Sequence, residues 1–451
     1  MDRRAFLYGT FGLAALSPAA ASVDPTIASL RGTVEPGPTA LRPNLSVDQG
    51  PILQRLIDEA AAEDRAVSLP PGRFIVSGIK LPKRARLAGV AGATRIVLGE
   101  GGSLITAESA EFVALNGLVI EGTGGRLEDY VAGLIHLADC PNVTIENCEI
   151  VGSPASGIAL DRCGGRIDRS RVTGAAAAGV RAIESTGLSI ADNTVEDCGN
   201  GGILVWRWSE GEDGTIVSGN RIVRIAARDG GTGENGNGIN VFRAHGVIVS
   251  NNSITDCAFT AVRANSANNV QILGNNCRGL GEVAIFCEFS FAGCVIANNI
   301  VDRAGSGISV ANFREGGRIA VVANNVVRDL TGTGPYPAEL QGFGVGIAVE
   351  ADVALSGNVI DGAPRFGMVL GWGPYLRDVA ATGNVIRRAP VGIAVSVVEG
   401  AGVAVISDNL ISGATDGAIR GMRWAEPASG DLALGGADAF PHLTIERNRI
   451  S

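Results

Sequence analysis

The sequence predicts an all-β solenoid, a coil of short parallel strands with a helix at its N-terminal end. Two spacings and one composition carry that expectation. An apolar phrase of the form Gly-Ile-x-Val recurs eleven times, starting at Gly157, Gly179, Gly202, Gly238, Ala261, Ala284, Gly307, Gly346, Gly367, Gly392 and Ala418. A second phrase, Asn-x-Ile in its commonest form, starts at Cys148, Ser170, Asn193, Asn220, Asn252, Asn275, Asn298, Asn324, Asn358, Asn384, Asn409 and Asn448. Asn252 to Ala261 is nine residues and Ala261 to Asn275 is fourteen, so the unit is 23 residues. A fixed period of that size marks stacked repeats. The 64 glycines fall largely between the apolar phrases, where turns need positive φ.

Leucine-rich repeats share the period and also carry an Asn. Here the repeated apolar residues are Ile and Val, they alternate at period 2, and nothing between them has a 3.6-residue pattern. Three short strands per turn, stacked in parallel at about 4.8 Å, bury the inward side chains of each rung on those above and below. The Asn column then has a structural task, because a buried carboxamide can bond its equivalent in the next rung.

Ahead of the first strand, Asp48 to Glu63 reads as an amphipathic helix, followed by Val67-Ser68-Leu69-Pro70-Pro71-Gly72-Arg73-Phe74-Ile75-Val76. With these features the chain, over residues 47 to 451, resembles the right-handed parallel β-helix proteins of the pectin-lyase-like superfamily. The resemblance implies a single-stranded right-handed coil whose open N-terminal end is capped by the helix. It speaks for fold, since members of such a superfamily differ in activity. The expected organisation is a signal segment at 1–21, a linker and capping helix at 22–66, and the β-helix at 67–451.

The signal assignment rests on Arg3-Arg4-Ala5-Phe6-Leu7, an apolar run to Leu16, and small residues up to Ala21. This resembles a twin-arginine export signal, with Tyr8 where Lys is usual. It implies the Tat translocase as a partner and a periplasmic or secreted location in a bacterium. The apolar run is too short for a stable membrane anchor.

Eight cysteines in 451 residues do not make a disulfide scaffold. Cys148 and Cys277 take Asn and Ile positions of the repeat, as small core residues, while Cys140 and Cys163 align on adjacent rungs as stacked thiols or a disulfide pair. The formal charge is -9, and removing Arg3 and Arg4 with Asp2 would take it to -10. Lysines are confined to Lys80 and Lys83. An acidic chain of this kind is not a nucleic-acid binder.

Insertions into the repeat fall at 206–214, 224–237, 312–317, 329–345, 371–377 and 422–442. All flank the Gly-Ile-x-Val strand, which is therefore the expected floor of a groove walled by loops. If Ile and Val point inward, the x residue and the residue after Val point outward. These positions include Asp161, Arg181, Trp206, Asn240, Phe242, Arg263, Asn265, Phe286, Glu288, Glu350 and Arg420. Trp208, Arg243, His245, Phe313, Trp372 and Tyr375 lie in the adjoining loops. Rings with Arg, Asn and carboxylates along a groove suit a saccharide chain, because rings stack on sugar faces and polar groups fix hydroxyls.

Substrate-binding candidates are therefore Trp206, Trp208, Asn240, Phe242, Arg243, Asn265 and Glu350, with Arg263 and Glu288 as catalytic candidates. For eliminative cleavage, superfamily lyases use a base beside a uronate carboxylate that Arg or Ca²⁺ neutralises, which implies Arg263 as base or clamp. There is no cofactor motif, and Ca²⁺ on Glu288 and Asn265 is the cation these oxygens could hold. Hydrolysis needs two carboxylates, for which Glu288 and Glu350 are the outward pair. The polygalacturonase phrases and a pectate-lyase-like acidic cluster are both missing. Two functional readings result: an exported carbohydrate-active lyase or hydrolase, and a non-catalytic glycan-binding or envelope-structural repeat protein.

Overall fold

The computed structural model describes residues 41–337 and 342–451. The proposed export signal, with Arg3, Arg4 and Ala21, lies outside the described residues. The helix α1 (Gly50–Ala62) opens the fold and carries Pro at the start of its first turn, where a missing N–H costs nothing. Its Leu53, Leu56, Ile57 and Ala60 are buried and join the same core as the strands that follow. Asp48 Oδ1 accepts from Gly50 N and from Ser77 N, both at 2.9 Å, tying the helix start to the first coil.

The strands then wind as predicted. One sheet has 15 strands, and two further ladders merge into a second sheet of 28 because long strands such as Asn276–Glu288 turn the corner between them. Among the described residues the ladders are parallel, except where Gly417–Arg423 pairs antiparallel with Glu426–Asp431. Ile203, Ile239, Val262 and Ile285 stand in one register and are fully buried, so the Ile and Val of the repeated phrase form the coil interior.

The polar column inside the coil is an Asn ladder. Asn193 Nδ2 donates to Asn220 Oδ1 at 3.0 Å, Asn220 to Asn252 at 3.0 Å, and Asn252 to Asn275 at 3.0 Å. From Asn275 the ladder runs through Asn299, Asn325, Asn358, Asn384 and Asn409 to Asn448. This corrects two expected members. Asn298 and Asn324 sit one residue outside the column, with φ of 60° and 56°, and turn the backbone into it. At the N-terminal end Ser170 Oγ takes the same role by accepting from Cys148 N at 3.1 Å.

All eight cysteines are buried and free, including Cys140 and Cys163. After the antiparallel hairpin, Leu432 is buried and Phe440 packs on the core, so the 422–442 insertion covers the interior of the last rungs. Among the described residues no helix is long and apolar enough to cross a membrane.

Candidate functional site

Nine consecutive strands carry the proposed groove floor: β1 (Gly201–Glu212), β2 (Asn237–His245), β3 (Val262–Asn265), β4 (Asn276–Glu288), β5 (Ile300–Val310), β6 (Val345–Val349), β7 (Phe366–Leu370), β8 (Val391–Ser396) and β9 (Gly417–Arg423). Strict register aligns their outward residues. Trp206 pairs with Phe242, Phe242 with Asn265, and Asn265 with Glu288. One pleat earlier, Leu204, Asn240, Arg263 and Phe286 follow the same order.

Over β1–β3 these residues make a cavity of roughly 400 Å³, lined by Trp206, Trp208, Asn240, Phe242, Arg263 and Asn265 together with Thr232, Gly233, Glu234 and Phe289. A register shift between Trp206 and Gly211 marks an insertion in β1 that lifts Trp208 out of the sheet. Trp208 is 61% exposed, while its backbone is held by Glu184 Oε1, which accepts from Trp208 N at 2.7 Å. Arg243 donates to Trp208 O at 2.6 Å and lies over the Phe242 ring at 4.8 Å, so it braces two walls of the cavity. Trp206 meets Phe242 edge to face at 6.1 Å.

Beneath the cavity lies a buried charge cluster. Arg263 Nε donates to Glu288 Oε1 at 2.6 Å and its Nη1 to Glu282 Oε2 at 3.4 Å, and the guanidinium covers the Phe286 ring at 5.2 Å. Asn265 Nδ2 also donates to Glu288 Oε1, at 2.9 Å. Thr260 Oγ1 donates to Glu282 Oε2 at 2.9 Å, and Tyr336 OH donates to Glu282 Oε1 at 2.7 Å. Burial opposes the charge on Arg263, but Glu288 and Glu282 outweigh it and its pKa lies above the ordinary value. Burial pushes the Glu288 carboxyl up, with Arg263 opposing. A cation on Glu288 and Asn265 would sit against that guanidinium, so these two residues do not fit Ca²⁺.

This geometry can be set beside known proteins. The family model for the right-handed β-helix region matches residues 103–222, 132–326 and 208–450. The chain belongs to the right-handed β-helix family. No curated protein matches it. Among solved structures it is similar to the N-terminal fragment of bacteriophage phi29 gene product 12, at 17% identity, covering 83% of this chain and 66% of that one, with a TM-score of 0.49. It is similar to tailspike protein 2 of the Escherichia coli O157:H7 bacteriophage CAB120 at 15% identity, covering 70% and 41%, with a TM-score of 0.41. A third is the catalytic unit of a thermostable GH87 α-1,3-glucanase from Streptomyces thermodiastaticus, at 13% identity, covering 91% and 67%, with a TM-score of 0.42. The chain thus spans less than two thirds of the first two structures' length, and these likenesses concern the coil.

Within this β-helix the remaining candidates lie elsewhere. Glu350 follows β6, two strands beyond Glu288 along the register, with Ala311 between them. Its Oε2 accepts from Phe313 N at 2.6 Å, and burial raises its pKa. The structure therefore does not bring Glu350 to Glu288. His245 is engaged with Asn268, whose backbone N donates to Nδ1 at 3.1 Å. On earlier rungs Asp161 takes both Arg181 and His136 as partners. Sequence reasoning missed Glu282, Tyr336 and Phe289. Glu282 carried a usable signal, since it shares a strand with Glu288 two residues ahead of the Ala284 phrase.

Proposed function

We propose that the protein is an exported, carbohydrate-active β-helix protein that holds a polysaccharide along the face of β1–β9. The observation that carries this is the cavity over β1–β3, where Trp206, Trp208, Phe242 and Phe289 surround Asn240, Asn265 and Arg263. Rings offer flat apolar faces to sugars, while amides and a guanidinium offer directed hydrogen bonds.

Within that reading the chemistry favours hydrolysis over elimination. Arg263 has its pKa raised between two carboxylates, so it serves as a clamp and not as a proton acceptor. Glu288, with its pKa raised by burial, is suited to give a proton to a leaving oxygen. Glu282, on the other side of Arg263, supplies the second carboxylate that hydrolysis requires. The second reading, glycan binding without cleavage, is favoured by one feature: Glu282 and Glu288 are only 4% and 3% exposed, with oxygens already engaged by Arg263, Asn265, Thr260 and Tyr336.

The test is incubation of the protein with acidic and neutral polysaccharides, recording reducing ends, ultraviolet absorbance of unsaturated products, and retention on the immobilised polymers. Reducing ends without absorbance, lost in Glu288→Gln, support hydrolysis. Retention without products, lost in Trp208→Ala, supports the binding reading. Absorbance gain would replace hydrolysis by elimination, and neither products nor retention would remove the carbohydrate reading.

A further inference from the structure

A second concavity lies further along the same sheet face. It encloses about 280 Å³ over β6–β9, lined among others by Glu350, Phe366, Val369, Trp372, Met422 and Trp424. Its floor departs from the pattern of a solvated face. Val391, Ala394 and Met422, with Phe366 and Val369 against them, form a hydrophobic cluster separate from the coil interior. Apolar groups gathered on the outside of a coil, beside exposed rings, mark a surface built to be covered.

The rings themselves are held at a cost. Trp424 stands at φ 55°, the left-handed region that bulky side chains rarely adopt, at the turn of the antiparallel hairpin formed by Gly417–Arg423 and Glu426–Asp431. Its ring lies against Gly373, where an added Cβ would come within 2.4 Å of it. Trp372 meets Trp424 edge to face at 5.7 Å, and Tyr375 meets it at 6.3 Å. Despite this packing, Trp372 and Trp424 remain 43% and 47% exposed. Phe289, in the wall of the first cavity, is 40% exposed, and its φ of 61° is that of the rung turn it shares with Arg243, Ser266 and Asn312. Exposed rings at both places offer flat apolar faces to a ligand at both.

The two places are continuous. Along the register the outward positions after Trp206 are Phe242, Asn265, Glu288, Ala311, Glu350 and Gly371, so Trp372 lies six strands from Trp206, about 29 Å at roughly 4.8 Å per strand. Between them Ser309, Ala311 and Ala348 leave the floor low. All four Trp of the chain stand at the two ends of this strip.

We infer that the Trp372–Trp424 groove is a second saccharide platform, and that one linear polysaccharide chain lies across both places. This rests on the proposed carbohydrate reading of the first cavity. The platform suits uncharged sugar rings, because Arg365 is drawn over the Phe366 ring at 5.0 Å and the Glu350 carboxyl is already bonded to backbone. Two separated platforms on one rigid floor make affinity depend on chain length, since the second contact becomes intramolecular.

The experiment is calorimetric titration with oligosaccharide size ladders from cellulose, xylan and dextran, using the wild type, Trp208→Ala, Trp372→Ala and Trp424→Ala. The expected result is a rise in affinity once chains are long enough to reach both platforms. Trp372→Ala and Trp424→Ala then lose that rise, about tenfold or more in Kd, while short oligosaccharides bind as before. A rise that survives in both variants, or no dependence on length, overturns the second platform. If short oligosaccharides still bind and Trp208→Ala weakens them, the first cavity's reading stands without it. No binding at any length removes both. Sedimentation of the variants completes the test: a dimer that Trp424→Ala converts to monomer would make this face a self-association surface and overturn the inference.

Discussion

Arg263 Nε stands 2.6 Å from Glu288 Oε1, and both side chains are buried, Arg263 lining the ring-walled cavity and Glu288 beneath it. Removing one partner of such a pair strands the other charge away from water, at about 3–5 kcal/mol. We expect Arg263→Ala to lower stability by that amount, since Glu288 and Glu282 would then face each other without a cation. Glu288→Gln costs less, because Glu282 still meets the guanidinium. Urea denaturation of both variants checks the order, and a smaller loss for Arg263→Ala would contradict it.

Gly233 lies directly on the Arg263 guanidinium, with φ at 137°, and an added Cβ would fall 1.7 Å from Nη1. Gly233→Ala must therefore push the 226–236 loop off the cluster and open the cavity wall. The expected outcome is weaker polysaccharide retention with the coil intact. Circular dichroism beside a retention assay reads both, and unchanged retention would sink the idea.

The Asn ladder sets a different test. Asn275 Oδ1 accepts from both the backbone N and the Nδ2 of Asn252, at 3.0 Å each. Asn275→Ala leaves those donors buried without an acceptor, at about 1–3 kcal/mol for each unpaired group. Asn298→Gly, at the neighbouring turn with positive φ, stays within about 0.5 kcal/mol of wild type. Thermal denaturation of the two variants separates ladder from turn.

Glu350 gives a pH dependence. Burial raises its folded-state pKa above the unfolded value. The stability it supports is then complete below the unfolded carboxyl pKa and is lost as pH rises through the folded one. Relative to Glu350→Gln, the wild type is expected to lose Tm across that window and to level off above it. A difference that stays flat with pH would contradict this assignment.

Much of the site was legible because strand alternation has a period of two and the rungs stack in strict register. Trp206, Phe242, Asn265 and Glu288 follow from the phrase alone, and all four take the places that alternation gives them. The loops were not legible in that way. Tyr336 reaches Thr232 across 104 residues and Glu282 across 54, contacts set by how two insertions lean together and not by any repeat. Trp424 was hidden similarly, since nothing in its spacing announces an antiparallel hairpin in a stack of parallel strands. The errors at Asn298 and Asn324 have a simpler cause: each stands beside a second Asn, and only backbone handedness tells the turn residue from the buried one.

The ladder has one more property, which is direction. From Asn193 to Asn409 each carboxamide gives one N–H to the Asn oxygen of the next C-terminal rung and the other to a backbone carbonyl of the N-terminal rung, as Asn275 does to Val249 O at 3.0 Å, so the amide-to-amide bonds all run one way. Damage at one step is therefore unequal on its two sides. Without the Asn275 side chain, Asn252 loses the oxygen that served two of its donors, whereas Asn299 Oδ1 keeps the backbone N of residue 275 at 2.9 Å. Local opening would spread from such a lesion toward the N-terminus first, and amide exchange at Asn252 would quicken before exchange at residue 275. A column of identical residues in this coil behaves like a one-way street.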